Sequence, residues 1–116
     1  MLSLPRSSRL FIATTPTDLR KSFDGLATLV EGQFGRQVRS GDVFIFLNRR
    51  ATQVRMLFWD RDGLCIVMKR LEVGTFRRII AHDGVDHIEI DAGEFAMLLE
   101  GIDAPVVRRR KRLRAA

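Results

Sequence analysis

The most concentrated chemistry in this sequence is a run of cations close to its C-terminus. Six of the seven residues from 108 to 114 are basic: Arg108, Arg109, Arg110, Lys111, Arg112 and Arg114. Cations at this density attract polyanions, because each phosphate that they neutralise releases a condensed counterion. The run therefore favours contacts with nucleic-acid phosphates, without any code for base sequence. The alternative is a solubilising tail, or a tail that folds back on an acidic segment of the same chain.

A second group of cations belongs to the predicted loops and ends of a β-sheet. Its members are Arg49, Arg50, Arg61, Lys69 and Arg70. These side chains could contact DNA phosphates beside the tail. The alternative is that they serve solubility, since exposed hairpin loops commonly carry arginine.

Acidic residues are segregated between the two basic parts of the chain. The first 81 residues carry a net charge of +7, residues 82–107 carry −7 with no lysine or arginine, and residues 108–116 carry +6. Such segregation predicts a charged partner, or two parts of the chain that face each other. Four acids of the middle segment form the candidate surface for a basic protein partner: Asp83, Asp86, Glu89 and Glu94.

Two small groups contain side chains that can ligate metal ions. Asp60 and Asp62 form an Asp-x-Asp pair, which suits Mg²⁺ or Mn²⁺, but a hairpin turn requires the same residue types. His82 and His87 have two aspartates between them, yet their five-residue spacing does not place both rings on one face of a helix or strand. The turn and surface interpretations are favoured, and no metal or other cofactor is expected.

Sequence motifs for catalysis are not found. The chain has no GxSxG motif, P-loop or Gly-rich dinucleotide fingerprint. Its single cysteine, Cys65, cannot form an internal disulfide and falls inside a predicted strand. The first ten residues lack the apolar core of a signal peptide or membrane span. These observations favour a non-enzymatic, cytoplasmic protein that makes no membrane contact.

Three short apolar runs form the centre of the predicted fold. Val43–Leu47, Val54–Trp59 and Leu64–Met68 are rich in β-branched and aromatic residues, which is typical of strands. The second and third are separated by Asp-Arg-Asp-Gly, a strong hairpin signal in which Gly63 would adopt positive φ. The runs therefore predict a central three-strand antiparallel meander.

Helices are predicted on both sides of this meander in the sequence. Thr15 and Pro16 suit the cap and first position of a long helix, Pro16–Phe34. Its apolar stripe is Leu19, Phe23, Leu26, Ala27, Val30 and Phe34. Asp91 and Glu94 form a capping pattern before a short helix, Ala92–Glu100.

Two further strands complete the prediction. Arg9–Thr14 and Val85–Ile90 have strand composition or alternation. The expected fold is one α+β domain, residues 1–107, with a mainly antiparallel sheet of four or five strands. Residues 108–116 are expected to form a disordered basic tail.

Four strings of this sequence together resemble a known family. They are TDLRKSFDGL (17–26), FIFLNRR (44–50), LFWDRDGLCIVMKRLEVGTF (57–76) and LLEGID (98–103). In this order they are similar to the TnpB accessory protein of insertion sequence family 66. The resemblance does not extend to the RNA-guided nuclease that is also called TnpB, which is several times longer.

The resemblance implies a bacterial protein that assists transposition of its own element. The implied partners are a DDE-type transposase and another accessory protein of that element. The sequence departs from the family pattern after Phe76 and after Asp103, where the family usually has an aromatic residue. Our hypothesis is that the basic residues bind DNA phosphates while the acidic residues contact the transposase. The alternative is a protein–protein adaptor without direct DNA contact.

Overall fold

A computed structural model describes residues 8–79 and 84–100 of the chain. In chain order the elements are strand β1 (Leu10–Ala13), helix α1 (Phe23–Thr28), a π-helical turn (Leu29–Gln33), a 3-10 turn (Val38–Ser40), strands β2 (Val43–Leu47), β3 (Gln53–Asp60), β4 (Gly63–Arg70) and β5 (His87–Ile90), and helix α2 (Ala92–Leu99). The α+β class expected from the sequence is confirmed, whereas the basic tail lies outside the described residues.

The five strands form one mixed sheet in the order β4-β3-β2-β1-β5. β1 and β2 run parallel, with Phe11 opposite Phe44, and the other three pairings are antiparallel. The predicted meander is confirmed as β2-β3-β4, but it occupies one side of the sheet instead of its centre. β2 is the middle strand and is buried along its whole length.

Both faces of the sheet are covered, so the protein has two apolar cores. On the face that we call the α1 face, Phe11, Phe44 and Phe46 pack with Leu26 and Val30 of the helical segment. The opposite, α2 face includes the buried side chains Ile12, Ile45, Val54, Phe76 and Leu98. Adjacent residues of a strand point to opposite faces, which is why the continuous apolar run of β2 contributes to both cores.

The predicted long helix Pro16–Phe34 is wrong at its beginning. The observed helix starts at Phe23 with Ser22 as its N-cap, and α1 with its π-helical turn covers 11 residues. The Thr17 amide donates to the Leu47 carbonyl at 2.9 Å instead of belonging to a helix. The Asp18 carboxylate accepts from the Arg20 amide at 3.0 Å. The tertiary contact with β2 overrides the local capping signal of Thr15 and Pro16.

Five of the six positions of the predicted stripe pack on the α1 face, and one does not. Leu19, Leu26, Val30 and Phe34 are buried and Ala27 is partly buried, while Phe23 is 44% exposed. Gly35 ends the segment with φ of +67°, as its type suggests. This left-handed residue lets the Arg36 amide donate to the Val30 carbonyl at 3.0 Å, which satisfies a helix-end acceptor.

The hairpin between β3 and β4 is confirmed, but its backbone differs from the expectation. Asp60 pairs with Gly63, so the loop contains only Arg61 and Asp62. Positive φ occurs at Arg61, at 55°, and not at Gly63. Gly63 instead begins β4.

The capping pattern predicted for α2 is confirmed. The Asp91 side chain accepts from the Glu94 amide at 2.7 Å, and the Glu94 carboxylate accepts from the Asp91 amide at 3.1 Å. These reciprocal bonds satisfy two amides that a helix start leaves without partners. Phe95, Leu98 and Leu99 pack on the α2 face of the sheet, also as expected.

Candidate nucleic-acid interface

The turn between β2 and β3 is built around the side chain of Asn48. Its Oδ1 accepts from the amides of Thr52 and Gln53 at 2.9 and 3.0 Å, and its Nδ2 donates to the Thr52 hydroxyl at 3.1 Å. Ala51 adopts positive φ of 56° and its amide donates to the Asn48 carbonyl. One side chain therefore fixes the backbone of the two arginines that lie between.

Arg49 and Arg50 project from this turn into solvent. Both are exposed, and within residues 8–79 and 84–100 neither side chain has a hydrogen bond or ion pair. The Arg78 guanidinium donates to the backbone carbonyls of Asn48 and Arg49, at 2.8 and 2.7 Å. Hydrogen bonds from Asn48 and Arg78 thus fix the backbone of the turn, while its two arginines are available for a ligand.

Two more of the predicted cations lie at the same end of the sheet. Arg70 is opposite Gln53 and Lys69 is opposite Val54, at the start of β3. Arg70 is exposed. The Lys69 ammonium donates to the Leu99 carbonyl at the end of α2, where the negative pole of the helix favours a cation. Arg70 is therefore a candidate for phosphate contact, and Lys69 connects this end to α2.

Four cations that the sequence prediction did not include also lie here: Arg20, Lys21, Arg55 and Arg78. Arg55 donates to the Lys21 carbonyl at 2.9 Å, which ties the loop before α1 to β3. Arg20 is 91% exposed at its side chain and pairs with Asp18 at 2.9 Å. The hydrogen bonds from Arg20 lower the pKa of the Asp18 carboxyl to about 2. Only the tertiary contact of Arg55 reveals these neighbours, since the loop is far from β3 in sequence.

We define the basic end of the sheet as the end where β2 finishes and β3 begins. Its cations are Arg20, Lys21, Arg49, Arg50, Arg55, Lys69, Arg70 and Arg78. Asp18, Glu72, Asp86 and Glu100 are acids at the same end. The cations outnumber these acids, so this surface has a positive potential that attracts phosphate.

The opposite end of the sheet has the reverse composition, and we call it the acidic end. Its acids are Asp42, Asp60, Asp62, Glu89, Asp91 and Glu94, and its cations are Arg9, Arg39 and Arg61. Arg61 was predicted to act with Arg49 and Arg50. However, β3 has eight residues, which at roughly 3.3 Å each separates the two turns by about 23 Å. The structure therefore does not bring Arg61 to the other candidate arginines.

The predicted acidic partner surface is also divided. The Asp86 carbonyl accepts from the Thr14 amide at the basic end, whereas Glu89 and Glu94 lie at the acidic end and Asp83 is outside the described residues. The Arg9 guanidinium bonds both oxygens of Glu89 and lowers the pKa of that carboxyl. The Glu94 carboxylate serves the capping box of α2. These acids do not form one continuous face.

Neither candidate metal group is assembled in the described part of the chain. Residues 8–79 and 84–100 contain no cluster of three or more His, Cys, Asp or Glu side chains suited to a metal ion. Nε2 of His87 accepts from Nε of Arg36 at 2.8 Å, and its ring stacks on Phe34 with centroids 4.4 Å apart. His82 lies outside the described residues. His87 is therefore engaged in packing and hydrogen bonding. No helix within those same residues has the length and apolarity needed to cross a membrane.

Replacing Asn48 by alanine is expected to loosen the turn that carries the arginines. The change removes three hydrogen bonds, two of them to backbone amides, and we expect a loss of about 1–3 kcal/mol in the free energy of unfolding. Chemical denaturation of both proteins measures it. Asn48→Asp is the matched control, because it keeps the acceptor of both amide bonds and should lose less. Equal stability of wild type and Asn48→Ala would contradict this role.

Comparison with known proteins gives consistent matches along the chain. A family model described as IS66 Orf2 like protein matches residues 8–109. "Uncharacterized protein y4jC" of Sinorhizobium fredii (strain NBRC 101917 / NGR234) is 33% identical over 110 residues, 95% of this chain and 92% of that protein. "Uncharacterized protein y4hO" of the same organism is 33% identical over 103 residues, 89% of this chain and 88% of that protein. No solved structure gives a significant match.

Proposed function

Since this chain belongs to the family of IS66 Orf2-like proteins, which are accessory proteins of insertion sequences, we propose that its basic end binds DNA phosphates and so assists the transposase. The observation that carries the proposal is the turn of Arg49 and Arg50. Its backbone is fixed by Asn48 and Arg78, yet the two arginines have no partner among the described side chains. A fixed turn presents cations to a ligand at a lower entropic cost than a mobile loop.

The position of α2 connects the basic tail to the same surface. α2 starts at the acidic end, directly after its N-cap Asp91. It ends at the basic end, where the Lys69 ammonium donates to the Leu99 carbonyl. Eight peptide bonds separate Glu100 from Arg108, and an extended chain covers at most about 29 Å over that length. The described chain thus ends at Glu100 beside the basic end, whose cations lie within reach of the tail, and we propose that both groups contact one DNA duplex.

Binding of this kind positions a protein on DNA without selecting a sequence. Contacts to phosphate carry no base information directly, and their strength falls with the logarithm of salt concentration. We therefore expect similar affinity for unrelated duplexes and a steep dependence on salt. Any selectivity for the ends of an element would come from the transposase or from the other accessory protein.

The test is a charge reversal at the turn, Arg49→Glu with Arg50→Glu, in the full-length protein. We expect the slope of log K against log salt to fall by roughly two and DNA affinity to fall roughly 10- to 100-fold near 0.1 M salt. Fluorescence anisotropy with a labelled non-specific duplex at several salt concentrations measures both. Both side chains are exposed and unpaired among the described residues, so circular dichroism should show an unchanged fold.

Arg61→Glu is the control, since Arg61 is exposed but lies at the acidic end. Arg61→Glu should change DNA affinity much less than the reversal of Arg49 and Arg50 at the turn. An equal loss from Arg61→Glu would show that binding follows net charge and not the basic end. No measurable DNA binding by the wild type at low salt would overturn the proposal and favour the adaptor alternative, in which the charged ends contact proteins.

A further inference from the structure

The outer edge of β4 is the longer free edge of the sheet. β4 lies at the end of the strand order and pairs only with β3. Its eight residues oppose Gln53–Asp60 one for one, without a bulge, and it contains no proline. β5, at the other edge, has four residues. Proteins usually protect long edges with bulges, proline, charged side chains or a covering loop. Among the described residues β4 has only the charges of Lys69 and Arg70, at one end of the strand.

Hydrogen bonding to β3 shows which groups of β4 point outward. The Leu71 amide donates to the Thr52 carbonyl, directly after the last pair of the ladder. Because bonded and non-bonded residues alternate along an antiparallel pair, the odd-numbered residues of β4 bond to β3. The amides and carbonyls of Leu64, Ile66, Met68 and Arg70 therefore face away from the sheet, ready to bond to another strand.

The side chains along this edge are apolar where the strand is exposed. Val67 is 38% exposed and Met68 is 64% exposed, and they point to opposite faces of the sheet. No other strand in the described part of the chain has an exposed large apolar residue. An added strand would cover both residues.

The charges at the two ends of β4 identify the occupant of this edge. Asp62, in the turn before β4, is exposed, and Arg70, at its other end, is exposed as well. A second copy running antiparallel brings each Arg70 next to the Asp62 of the other copy, whereas a parallel copy would place like charges together. We propose that β4 pairs with β4 of a second copy of this chain, joining two five-stranded sheets into one.

Symmetry and the outward groups define the register of this pairing. In a two-fold arrangement centred on Ile66, the Ile66 residues of the two copies face each other as a hydrogen-bonded pair. Met68 then faces Leu64, Val67 faces Cys65, and Arg70 faces Asp62. The Ile66 pair lies on the two-fold axis and occurs once, whereas the other three contacts occur twice, and both Arg70–Asp62 pairs are complementary in charge. The basic ends of the two copies point in opposite directions, because the paired strands are antiparallel.

The first test measures the mass of the full-length protein by light scattering during size exclusion. We expect twice the chain mass of 13.3 kDa at about 100 μM, with dissociation on dilution. Met68→Pro removes one outward amide and leaves the bonds to β3 in place, so it should be monomeric with an unchanged circular dichroism spectrum. A monomeric wild type at that concentration would overturn the proposal, as would a Met68→Pro protein that stays dimeric.

The second test addresses the register through the native thiol. In the Ile66-centred pairing, Val67→Cys places a new thiol opposite Cys65 of the other copy, within the Cα separation that a disulfide requires. Mild oxidation should give a covalent dimer in which mass spectrometry finds Cys65 joined to residue 67. Val67→Cys in a Cys65→Ser background should cross-link much more slowly. Cross-linking unaffected by loss of Cys65, or no cross-link in Val67→Cys, would overturn this register.

Discussion

Without residues 108–116, the protein is expected to bind a non-specific duplex at least about 100-fold more weakly near 0.1 M salt. The deletion removes six cations, and with each phosphate contact contributing about 0.9 to the slope, log K against log salt should flatten by about five. The Arg49 and Arg50 turn should retain weaker, less salt-dependent binding. Anisotropy titrations of the full-length and truncated proteins over a series of salt concentrations measure both quantities.

Changing the same six cations to glutamine is the matched control, because it removes charge and keeps chain length. It should reproduce the effect of the deletion if binding is electrostatic. Full affinity in both variants would show that the tail does not contact DNA. A glutamine variant that binds as well as wild type, beside a truncated protein that does not, would assign the effect to chain length instead of charge.

Phe44→Ala is expected to have the largest effect on stability. Phe44 lies in the middle strand, is fully buried, and stacks on Phe11 of the parallel neighbour with ring centroids 5.8 Å apart. Removing a buried phenyl ring loses its transfer free energy and leaves a cavity, which typically costs about 3–5 kcal/mol. That is a large part of the roughly 5–15 kcal/mol by which most domains are stable. Urea denaturation followed by circular dichroism measures the change.

Phe23→Ala is the control for this substitution, since it removes the same ring from a position that is 44% exposed. We expect a change of no more than about 0.5 kcal/mol, partly offset by the better helix propensity of alanine. A loss at Phe44 as small as the loss at Phe23 would contradict the assignment of Phe44 to the core of the α1 face. A loss at Phe23 as large as the one expected at Phe44 would show that the Phe23 ring is buried in solution.

Several features of the fold are determined by neighbouring residues and were predicted from the sequence alone. The three runs that became β2, β3 and β4 have strand composition and are separated by turn residues. The capping box of Asp91 and Glu94 needs only a three-residue spacing. In each case the interacting groups are close in the chain.

Features that depend on distant residues were decided by the tertiary structure. The parallel pairing of β1 with β2 joins residues 33 positions apart, and nothing in either strand specifies its partner. α1 starts at Phe23, after a non-helical segment in which the Thr17 amide donates to the Leu47 carbonyl. Phe23 is exposed, although its spacing fits the apolar stripe.

The candidate site follows the same division. The sequence by itself identified Arg49, Arg50, Lys69 and Arg70 and the segregation of charge along the chain. Only strand pairing and the contact of Arg55 with the loop before α1 decided that Arg49, Arg50 and Arg70 share one end of the sheet with Arg20 and Arg55, and that Arg61 lies at the other. The reason is physical. In a hairpin, the start of the first strand lies beside the end of the second, although the two are far apart in sequence, and the turn lies one strand length away from both.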